Sequence, residues 1–272
     1  MSPVSVPPEL LERARSADKV AVLTGAGMSA ESGVSTFRDR ESGLWEKYDP
    51  MELATPRAWF SDRPFVWAWN VWRMMQVQFA EPNAGHVALA RWQSNNRYVR
   101  IATQNIDDLH ERAGSEGVTH VHGSLFRYRC DTCEMPYSGP VLLPKKIAKR
   151  LDPPPCPFCF GMIRPAVVWF GEMLPSREML VAEISAREAD LVLVVGTSGV
   201  VYPFAALPEM AHSQGAMVVE INPNETEMSE APYVDLCWRA TAAEALPALV
   251  EELFPRSDDA ASGSSAIAAG EA

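Results

Sequence analysis

Four of the five cysteines fall into two Cys-x-x-Cys pairs, Cys130 with Cys133 and Cys156 with Cys159, and 22 residues separate the pairs. Each pair can present two thiolates from one tight turn, and two such turns can close a tetrahedral site. Four soft sulfur ligands favour Zn²⁺ and leave no open coordination position, so the spacing predicts a structural zinc ion. The alternative is two unrelated pairs of reduced thiols. Cys237 lies in an apolar run and is expected to be a buried core thiol.

A glycine-rich segment from Gly25 to Ala30 (GAGMSA) directly follows the apolar run Lys19–Thr24. It matches a pattern in which glycines let a pyrophosphate approach the backbone and free amide N–H groups bind the anion. The alternative is a tight strand-to-helix turn that binds no ligand. The continuation from Glu31 to Arg38 is polar, and no strand ending in an acidic residue follows about 20 residues later. The pattern therefore indicates a nucleotide site and argues against a hydride-transferring dehydrogenase.

Polar side chains follow another apolar run, Tyr98–Ala102, beginning with Gln104, Asn105 and Asp107. In open α/β sheets, ligands bind beyond the carboxyl ends of the strands, where such groups can hydrogen-bond ribose hydroxyls and an amide. The alternative for Asn105 or Asp107 is capping of a helix.

A histidine, His122, stands at the end of the apolar run Val118–Val121. At a strand end it can act as a general base near neutral pH, whereas the alternative is a structural histidine. We expect structural roles for the histidines in helical stretches, which are His86, His110 and His212.

Two further strand ends carry small or hydrogen-bonding residues. Gly196, Thr197 and Ser198 follow the run Leu191–Val195, and Asn222 follows Met217–Ile221. These residues suit a phosphate or a ribose, and the alternative is a plain turn with a helix N-cap.

Short apolar runs alternate with helix-length amphipathic stretches along most of the chain. The predicted strands are Lys19–Thr24, Tyr98–Ala102, Val118–Val121, Ala166–Phe170, Leu191–Val195, Met217–Ile221 and Val234–Trp238. The predicted helices are 7–16, 84–94, 175–188, 203–215 and 241–254. This alternation predicts an α/β fold, a Rossmann-like parallel sheet with helices on both faces.

Two stretches interrupt the alternation. Residues 39–83 are aromatic-rich with apolar residues at helical spacing, which predicts an inserted helical segment. Residues 126–164 contain all four paired cysteines and little helical periodicity, which predicts a small inserted zinc-binding module. Residues 255–272 are rich in Ser, Ala, Gly and Asp and are expected to form a disordered tail, since they cannot bury enough apolar surface to offset the entropy of ordering.

The chain has 272 residues, and 24 Lys and Arg against 35 Asp and Glu give a net charge of −11. This acidic balance argues against nucleic acid or an anionic membrane as the main partner, while an acidic surface attracts a basic peptide. The start carries neither a basic region nor an apolar region of a signal peptide, and we find no apolar run of membrane-spanning length. Together with paired reduced cysteines, these features predict a cytoplasmic protein.

In this order and spacing, the motifs resemble the sirtuin family of NAD-dependent protein deacylases, of the compact bacterial type, over roughly residues 12–254. The motifs are GAGMSAESGVSTFR at 25–38, QNID at 104–107, HG at 122–123, the two Cys-x-x-Cys pairs, VVWFGE at 167–172, GTS at 196–198 and IN at 221–222.

The resemblance implies a role for individual residues in binding NAD and in catalysis. Around the NAD phosphates it places Gly25, Ala26, Gly27, Ser29 and Glu31, with Phe37 and Arg38 in a loop over the nicotinamide ribose. It places Gln104 and Asn105 at that ribose and its water, Ile106 and Asp107 at the nicotinamide carboxamide, and His122 as the general base. Gly196, Thr197, Ser198 and Asn222 contact the adenosine half in the family, and Ala240 lies near the adenine.

The implied reaction consumes NAD as a co-substrate. The acyl-lysine oxygen attacks the ribose carbon and expels nicotinamide, and the base then deprotonates a ribose hydroxyl that attacks the resulting imidate. The products are free lysine and O-acyl-ADP-ribose. The substrate peptide pairs as an added strand with Val168, Phe170, Gly171 and Glu172, which lie in VVWFGE.

The resemblance also bears on the acyl group. Bacterial sirtuins that remove succinyl or malonyl groups carry Tyr-x-x-Arg on the helix that lines the acyl pocket, and the corresponding pair here is Trp69 and Trp72. We expect Arg73 to point elsewhere, because one residue along a helix turns a side chain by about 100°. These indoles predict deacetylation in preference to desuccinylation, unless Trp69 and Trp72 are simply core residues.

Two other functions are compatible with the motifs. One is a mono-ADP-ribosyltransferase, which requires that the imidate chemistry be inefficient. The other is a non-catalytic NAD-sensing module with a zinc knuckle. The presence of His122, with Asn105, argues against both. The sequence leaves the oligomeric state and the protein substrates open.

Overall fold

The computed structural model describes residues 4–34, 45, 48–96, 98–146 and 148–255. Within these ranges the larger of two sheets has six parallel strands, which are β1 (Val20–Thr24), β2 (Val99–Thr103), β3 (Thr119–His120), β7 (Leu191–Val195), β8 (Met217–Ile221) and β9 (Leu236–Trp238). Their order across the sheet is β3-β2-β1-β7-β8-β9. Strand order reverses between β1 and β7, and such a reversal opens a crevice at the carboxyl ends of the strands.

Helices cover both faces of this sheet. One face packs against α1 (Pro8–Ser16), α6 (Ala84–Asn95) and α10 (Ala242–Leu253). The other packs against α8 (Ser176–Arg187) and α9 (Leu207–Ser213). Strand β1 is buried along its whole length. Val20 and Val22 belong to the core on the side of α1, α6 and α10, and Ala21 and Leu23 belong to the core on the side of α8 and α9. The predicted α/β class is confirmed, and continuous apolar strands follow from burial on both faces.

The second sheet is antiparallel, in the order β5-β4-β6, and it carries the zinc-module cysteines. Its strands are β4 (Gly123–Cys130), β5 (Pro136–Tyr137) and β6 (Ile163–Val167). A core of aromatic residues joins it to α3 (Pro50–Leu53), α4 (Pro56–Ser61) and α5 (Arg63–Phe79). The remaining helices, α2 (Gly27–Ala30) and α7 (Leu109–Arg112), lie at strand ends of the parallel sheet.

Two predicted elements differ from the structure. The strand predicted at Ala166–Phe170 is wrong in register and in sheet, because β6 begins at Ile163 and pairs with β4. The predicted helix 203–215 is shorter, since a 3-10 turn at Phe204–Ala206 precedes α9. Within the described ranges, we find no helix of the length and apolarity needed to cross a membrane.

Three predictions fall wholly or partly on residues that the structure does not describe. These are the loop positions Phe37 and Arg38, positions 39–44, 46 and 47 of the predicted helical segment, and the tail from residue 256 onward. At the other end of the chain, Leu10 of α1 is fully buried in the core formed with α6 and α10.

Candidate functional site

The loops after β1 and β7 meet at the strand-order reversal with no room for side chains between them. The amide N–H of Gly27 donates to the Gly196 carbonyl at 2.8 Å, and that of Gly25 donates to the Val195 carbonyl at 3.0 Å. A Cβ on Gly27 would lie 2.7 Å from the Gly196 Cα, and one on Gly25 would lie 2.8 Å from the Gly196 oxygen. Glycines are thus required for this contact, which fixes the backbone where the sequence predicts a phosphate site.

Three predicted site residues form a buried network behind this loop. The Asn105 carboxamide donates to the Gly25 carbonyl at 3.0 Å and to the Ser29 hydroxyl at 3.1 Å. The Ser29 hydroxyl in turn donates to Asp107 Oδ2 at 3.0 Å. Burial raises the pKa of Asp107, and the Leu109 N–H and Ser29 hydroxyl oppose that rise. The N-cap of α7 is Asp108, so neither Asn105 nor Asp107 caps this helix as the alternative predicted. Asp107 accepts the Leu109 N–H at 3.1 Å from the residue before the cap, and Asn105 holds the glycine loop.

The half-buried His122 lies directly beyond β3. Its Nδ1 is 3.1 Å from the Gln104 carbonyl. A carbonyl only accepts, so Nδ1 carries the proton and Nε2 carries the lone pair that a general base needs. Burial lowers the pKa of His122, and the bond to Gln104 partly offsets this, so the ring is neutral at neutral pH. The next residue, Gly123, has φ +73°, and a Cβ there would lie 1.9 Å from the Ala166 carbonyl oxygen.

The adenosine-side residues are linked to the ribose-side residues by hydrogen bonds. The Thr197 hydroxyl donates to Gln104 Oε1 at 2.9 Å, and the Asn222 carboxamide donates to the Thr197 carbonyl at 3.2 Å. Ser198 follows in the same turn. Residues from the ends of β2, β7 and β8 therefore form one connected surface.

Three predicted contacts lie at the margin of this surface. The Glu31 carboxylate accepts the Ala243 N–H at 3.0 Å, in the first turn of α10. Ala240 is buried in the core on the side of α1, α6 and α10, and Ile106 packs against the aromatic core.

The segment predicted to pair with a substrate peptide is held by internal bonds. Its amide N–H groups at Val168 and Phe170 donate to the carbonyls of His122 and Ala54, each at 2.9 Å. An added strand can therefore use only the remaining polar backbone groups of this segment.

The Glu172 carboxylate is committed to Arg164, a partner that the sequence analysis missed. It forms bonds of 2.6 and 3.0 Å with the guanidinium, and it accepts the Trp169 N–H at 2.9 Å. Arg164 is almost fully buried, donates to the Val167 carbonyl and stacks on the Trp169 ring at 3.2 Å. The side chain of Glu172 thus shapes the loop, and no motif around Arg164 pointed to this role.

Trp69 and Trp72 lie in the aromatic core, with 0% and 8% of their surface exposed. This burial supports the alternative that they are core residues. The guanidinium carbon of Arg73 lies 4.8 Å from the centre of the Trp69 ring, and the expectation that Arg73 points away from the acyl pocket stays a prediction. Residues four apart share a helix face, which explains the contact.

The four paired cysteines gather at one point, with all Sγ atoms within 4.8 Å of one another. Cys130 and Cys159 are 3.5 Å apart at Sγ, and Cys133 and Cys156 are 3.8 Å apart. A tetrahedral site with Zn–S bonds of about 2.3 Å requires S–S separations of roughly 3.8 Å. These thiolates therefore fit a structural zinc ion. Cys237 lies apart and is half-buried, where a fully buried thiol was predicted.

The fold and the site together define a Rossmann-like α/β protein with polar residues gathered at the ends of its strands and a separate four-cysteine module that fits zinc. The Sir2 family model matches residues 25–203. The chain belongs to the Sir2 family.

Two relatives of this chain carry consistent names. The chain is 52% identical over 242 residues to NAD-dependent protein deacylase 2 of Corynebacterium efficiens, covering 88% of this chain and 94% of that protein. It is 47% identical over 235 residues to an NAD-dependent protein deacylase of Mycobacterium tuberculosis, covering 86% and 98%.

Solved structures show the same fold. A Sir2 homologue crystallised with NAD superposes with a TM-score of 0.83 at 40% identity, over 93% of this chain and 96% of that one. A complex of Sir2 with a p53 peptide and NAD⁺ gives 0.76 at 29% identity, over 91% and 98%.

The zinc assignment predicts a selective effect of single cysteine substitutions. Cys133→Ser should reduce bound zinc from about one ion per chain to near zero and lower the free energy of unfolding by several kcal/mol, because structural zinc binding contributes about 10 kcal/mol or more in small modules. Cys237→Ser is the matched control and should retain both. Elemental analysis and urea unfolding measure the two quantities; full zinc in Cys133→Ser, or a wild-type protein unaffected by chelator, would contradict the assignment.

Proposed function

We propose that this protein is an NAD-dependent protein-lysine deacylase that releases nicotinamide and O-acyl-ADP-ribose. The observation that carries the proposal is the geometry of His122. The Gln104 carbonyl accepts from Nδ1 and fixes the tautomer that leaves the Nε2 lone pair available, and Gln104 directly precedes the buried Asn105–Asp107 segment. Membership of the Sir2 family and the names of the relatives support the same activity.

The donor set at the sheet edge suits NAD as the co-substrate. The Gly25–Gly27 backbone would accommodate the phosphates, and the Thr197 and Ser198 hydroxyls with Asn222 would bind the adenosine half. The buried Asp107 carboxylate can accept the N–H groups of a carboxamide. NAD supplies a glycosidic bond that is activated by the positive charge of its pyridinium ring.

The protein's own groups then have distinct tasks. Asn105 fixes the glycine loop and the segment that leads to Asp107. His122 takes a proton from a ribose hydroxyl at Nε2, while Nδ1–H stays bonded to Gln104. The Val168 amide is bonded to the His122 carbonyl, so the peptide-binding segment and the base share one rigid connection.

We also propose that neutral acyl groups are turned over faster than acidic ones. Since Trp69 and Trp72 are buried core residues, the preference would come from the apolar character of this part of α5, where Asn70 adds a buried neutral carboxamide, and not from direct contact of the indoles with the acyl group. The guanidinium of Arg73 lies on the Trp69 ring. The carboxylate of an acidic acyl group would either displace the Arg73 guanidinium from the Trp69 ring or remain without a cationic partner. The lack of a nucleic-acid or membrane partner stays a prediction from the acidic composition, and cytoplasmic location stays one from the N-terminal sequence and the paired reduced cysteines.

The proposed reaction requires both an acylated peptide and His122. Mixing protein, NAD and an acetyl-lysine peptide should release nicotinamide, and the unmodified peptide should release none. His122→Ala should lower kcat/KM by about 100-fold or more, while His212→Ala, a partly exposed histidine outside the site, should leave it unchanged. Mass spectrometry of the products separates the alternatives. ADP-ribose attached to protein would favour a transferase, and NAD binding without turnover would favour a sensing module.

The acyl preference predicts an acetyl-to-succinyl ratio of kcat/KM of roughly 30-fold or more on matched peptides, the cost of leaving a carboxylate without its bidentate partner. Arg73→Met should leave this ratio unchanged, as should the control Arg57→Met on the exposed surface of α4. Equal or faster succinyl turnover by the wild type would contradict the proposal. If kcat/KM on the succinyl peptide fell strongly in Arg73→Met and not in Arg57→Met, the contact with the carboxylate would be assigned to Arg73.

A further inference from the structure

A second histidine, His120, lies beneath the candidate site and has no role in the reaction described above. It is the last residue of β3 and is only 7% exposed. Its Nδ1 is 2.9 Å from the carbonyl oxygen of Asn105, and its Nε2 is 2.8 Å from Oε1 of Glu111 in α7. The ring therefore bridges the backbone of a predicted NAD-contacting residue and a carboxylate.

The two partners determine the protonation state of the ring. The Asn105 carbonyl can only accept, so Nδ1 of His120 carries a proton. An ionised Glu111 also only accepts, so Nε2 carries a second proton and the ring is an imidazolium. Burial lowers the pKa of His120, but the hydrogen bond and charge of Glu111 outweigh burial and raise it above the ordinary value. Burial raises the pKa of Glu111, and the bond and charge of His120 reverse this into a net lowering.

Other charged groups around the pair favour the same state. Acidic groups face the ring from the segment before α7, and one cation faces Glu111 from β4. The titratable and charged groups that interact with the pair are Asp107, Asp108, His110 and Arg127, and Arg112 in turn pairs with Asp108. Three carboxylates thus surround one buried imidazolium, and its charge lowers the pKa of Asp107 against the effect of burial.

Deprotonation would disrupt this arrangement. A neutral imidazole has one N–H, so it can donate to Asn105 or to Glu111 but not to both. The unprotonated nitrogen would then face an oxygen lone pair at 2.8 or 2.9 Å, and one contact would have to open. The Asn105 side chain holds the Gly25 carbonyl and the Ser29 hydroxyl. A shift of the Asn105 backbone would therefore displace the glycine loop contact and Asp107 together.

We propose that the Glu111–His120 ion pair is a positioning device for the Asn105–Asp107 segment, and that loss of its proton produces the alkaline limb of the reaction's pH profile. The second part rests on the proposed deacylase function. The first part concerns NAD binding and the charge of the His120 ring, and it can be tested without measuring turnover. His122 produces the opposite, acid limb, because burial lowers its pKa and the base must be neutral.

The charge of His120 is measured directly in the unmodified protein. Nitrogen-15 NMR of the imidazole rings should show both His120 nitrogens protonated at neutral pH, with a pKa above the ordinary value of about 6.5. The signal among the five histidines is assigned by its loss in His120→Asn. A neutral His120 ring at neutral pH overturns the proposal, whether or not any variant folds.

The coupling to function is measured with Glu111→Gln, which retains the size of the side chain and removes its charge. The His120 pKa should fall, and the alkaline limb of kcat/KM should move to lower pH by about one unit, a tenfold loss of rate on that limb. The acid limb should not move. Glu116→Gln, an exposed glutamate four residues from the end of α7, is the matched control and should leave both limbs in place.

The pH dependence of NAD affinity separates this proposal from the deacylase function. Calorimetric titration of NAD should show affinity falling above the His120 pKa in the wild type, and at lower pH in Glu111→Gln. If this occurs in a protein without deacylase activity, the positioning device stands and the proposed function fails. If the profiles of Glu111→Gln and the wild type superimpose in both NAD affinity and kcat/KM, the pair has no positioning role.

Discussion

The contact between two glycine loops, after β1 and after β7, is the constraint on which the candidate site depends. Gly25 and Gly27 approach Gly196 so closely that a Cβ on any of the three would lie less than 3 Å from backbone atoms. The contact lies where the strand order reverses, so it brings the ends of both halves of the sheet to one crevice. Asn105 then bonds to the Gly25 carbonyl, and Thr197 bonds to Gln104, which ties the polar side chains to this fixed backbone.

The second sheet connects His122 to the segment predicted to pair with a substrate peptide. Strand β4 begins one residue after His122, and β6 leads into the segment held by Arg164. The zinc cysteines lie at the far end of β4 and before β6. Asp131, between two of these cysteines, accepts bonds from Trp59 and Arg63 of the helical segment, each at 2.9 Å. A metal site remote from the base thus helps to hold the two inserted segments together.

Much of this arrangement was predictable from local sequence, and the rest depended on contacts distant in the chain. Buried parallel strands are continuous apolar runs, and paired cysteines have a characteristic spacing, so the sheet and the zinc module were recognised. The strand prediction at Ala166–Phe170 was wrong because the apolar side chain of Trp169 packs on Arg164 and Trp59 and does not belong to a paired strand. The pairing of Glu172 with Arg164 needs the chain reversal at Gly171, where φ is +87°, and no pattern encodes its partner. The contact of Arg73 with the Trp69 ring joins residues four apart on one helix face, and the aromatic pattern alone did not indicate it.

The central claim, that the glycine contact builds an NAD site, is tested most directly by calorimetric titration of NAD into the wild type and Gly27→Ala. Zinc content reports on the fold of each protein, since the metal module is remote from Gly27. The account predicts that the wild type binds NAD and that Gly27→Ala, whose Cβ would lie 2.7 Å from the Gly196 Cα, binds at least about tenfold more weakly with its zinc retained. Equal affinity in the two proteins, or no binding by the wild type, would contradict it.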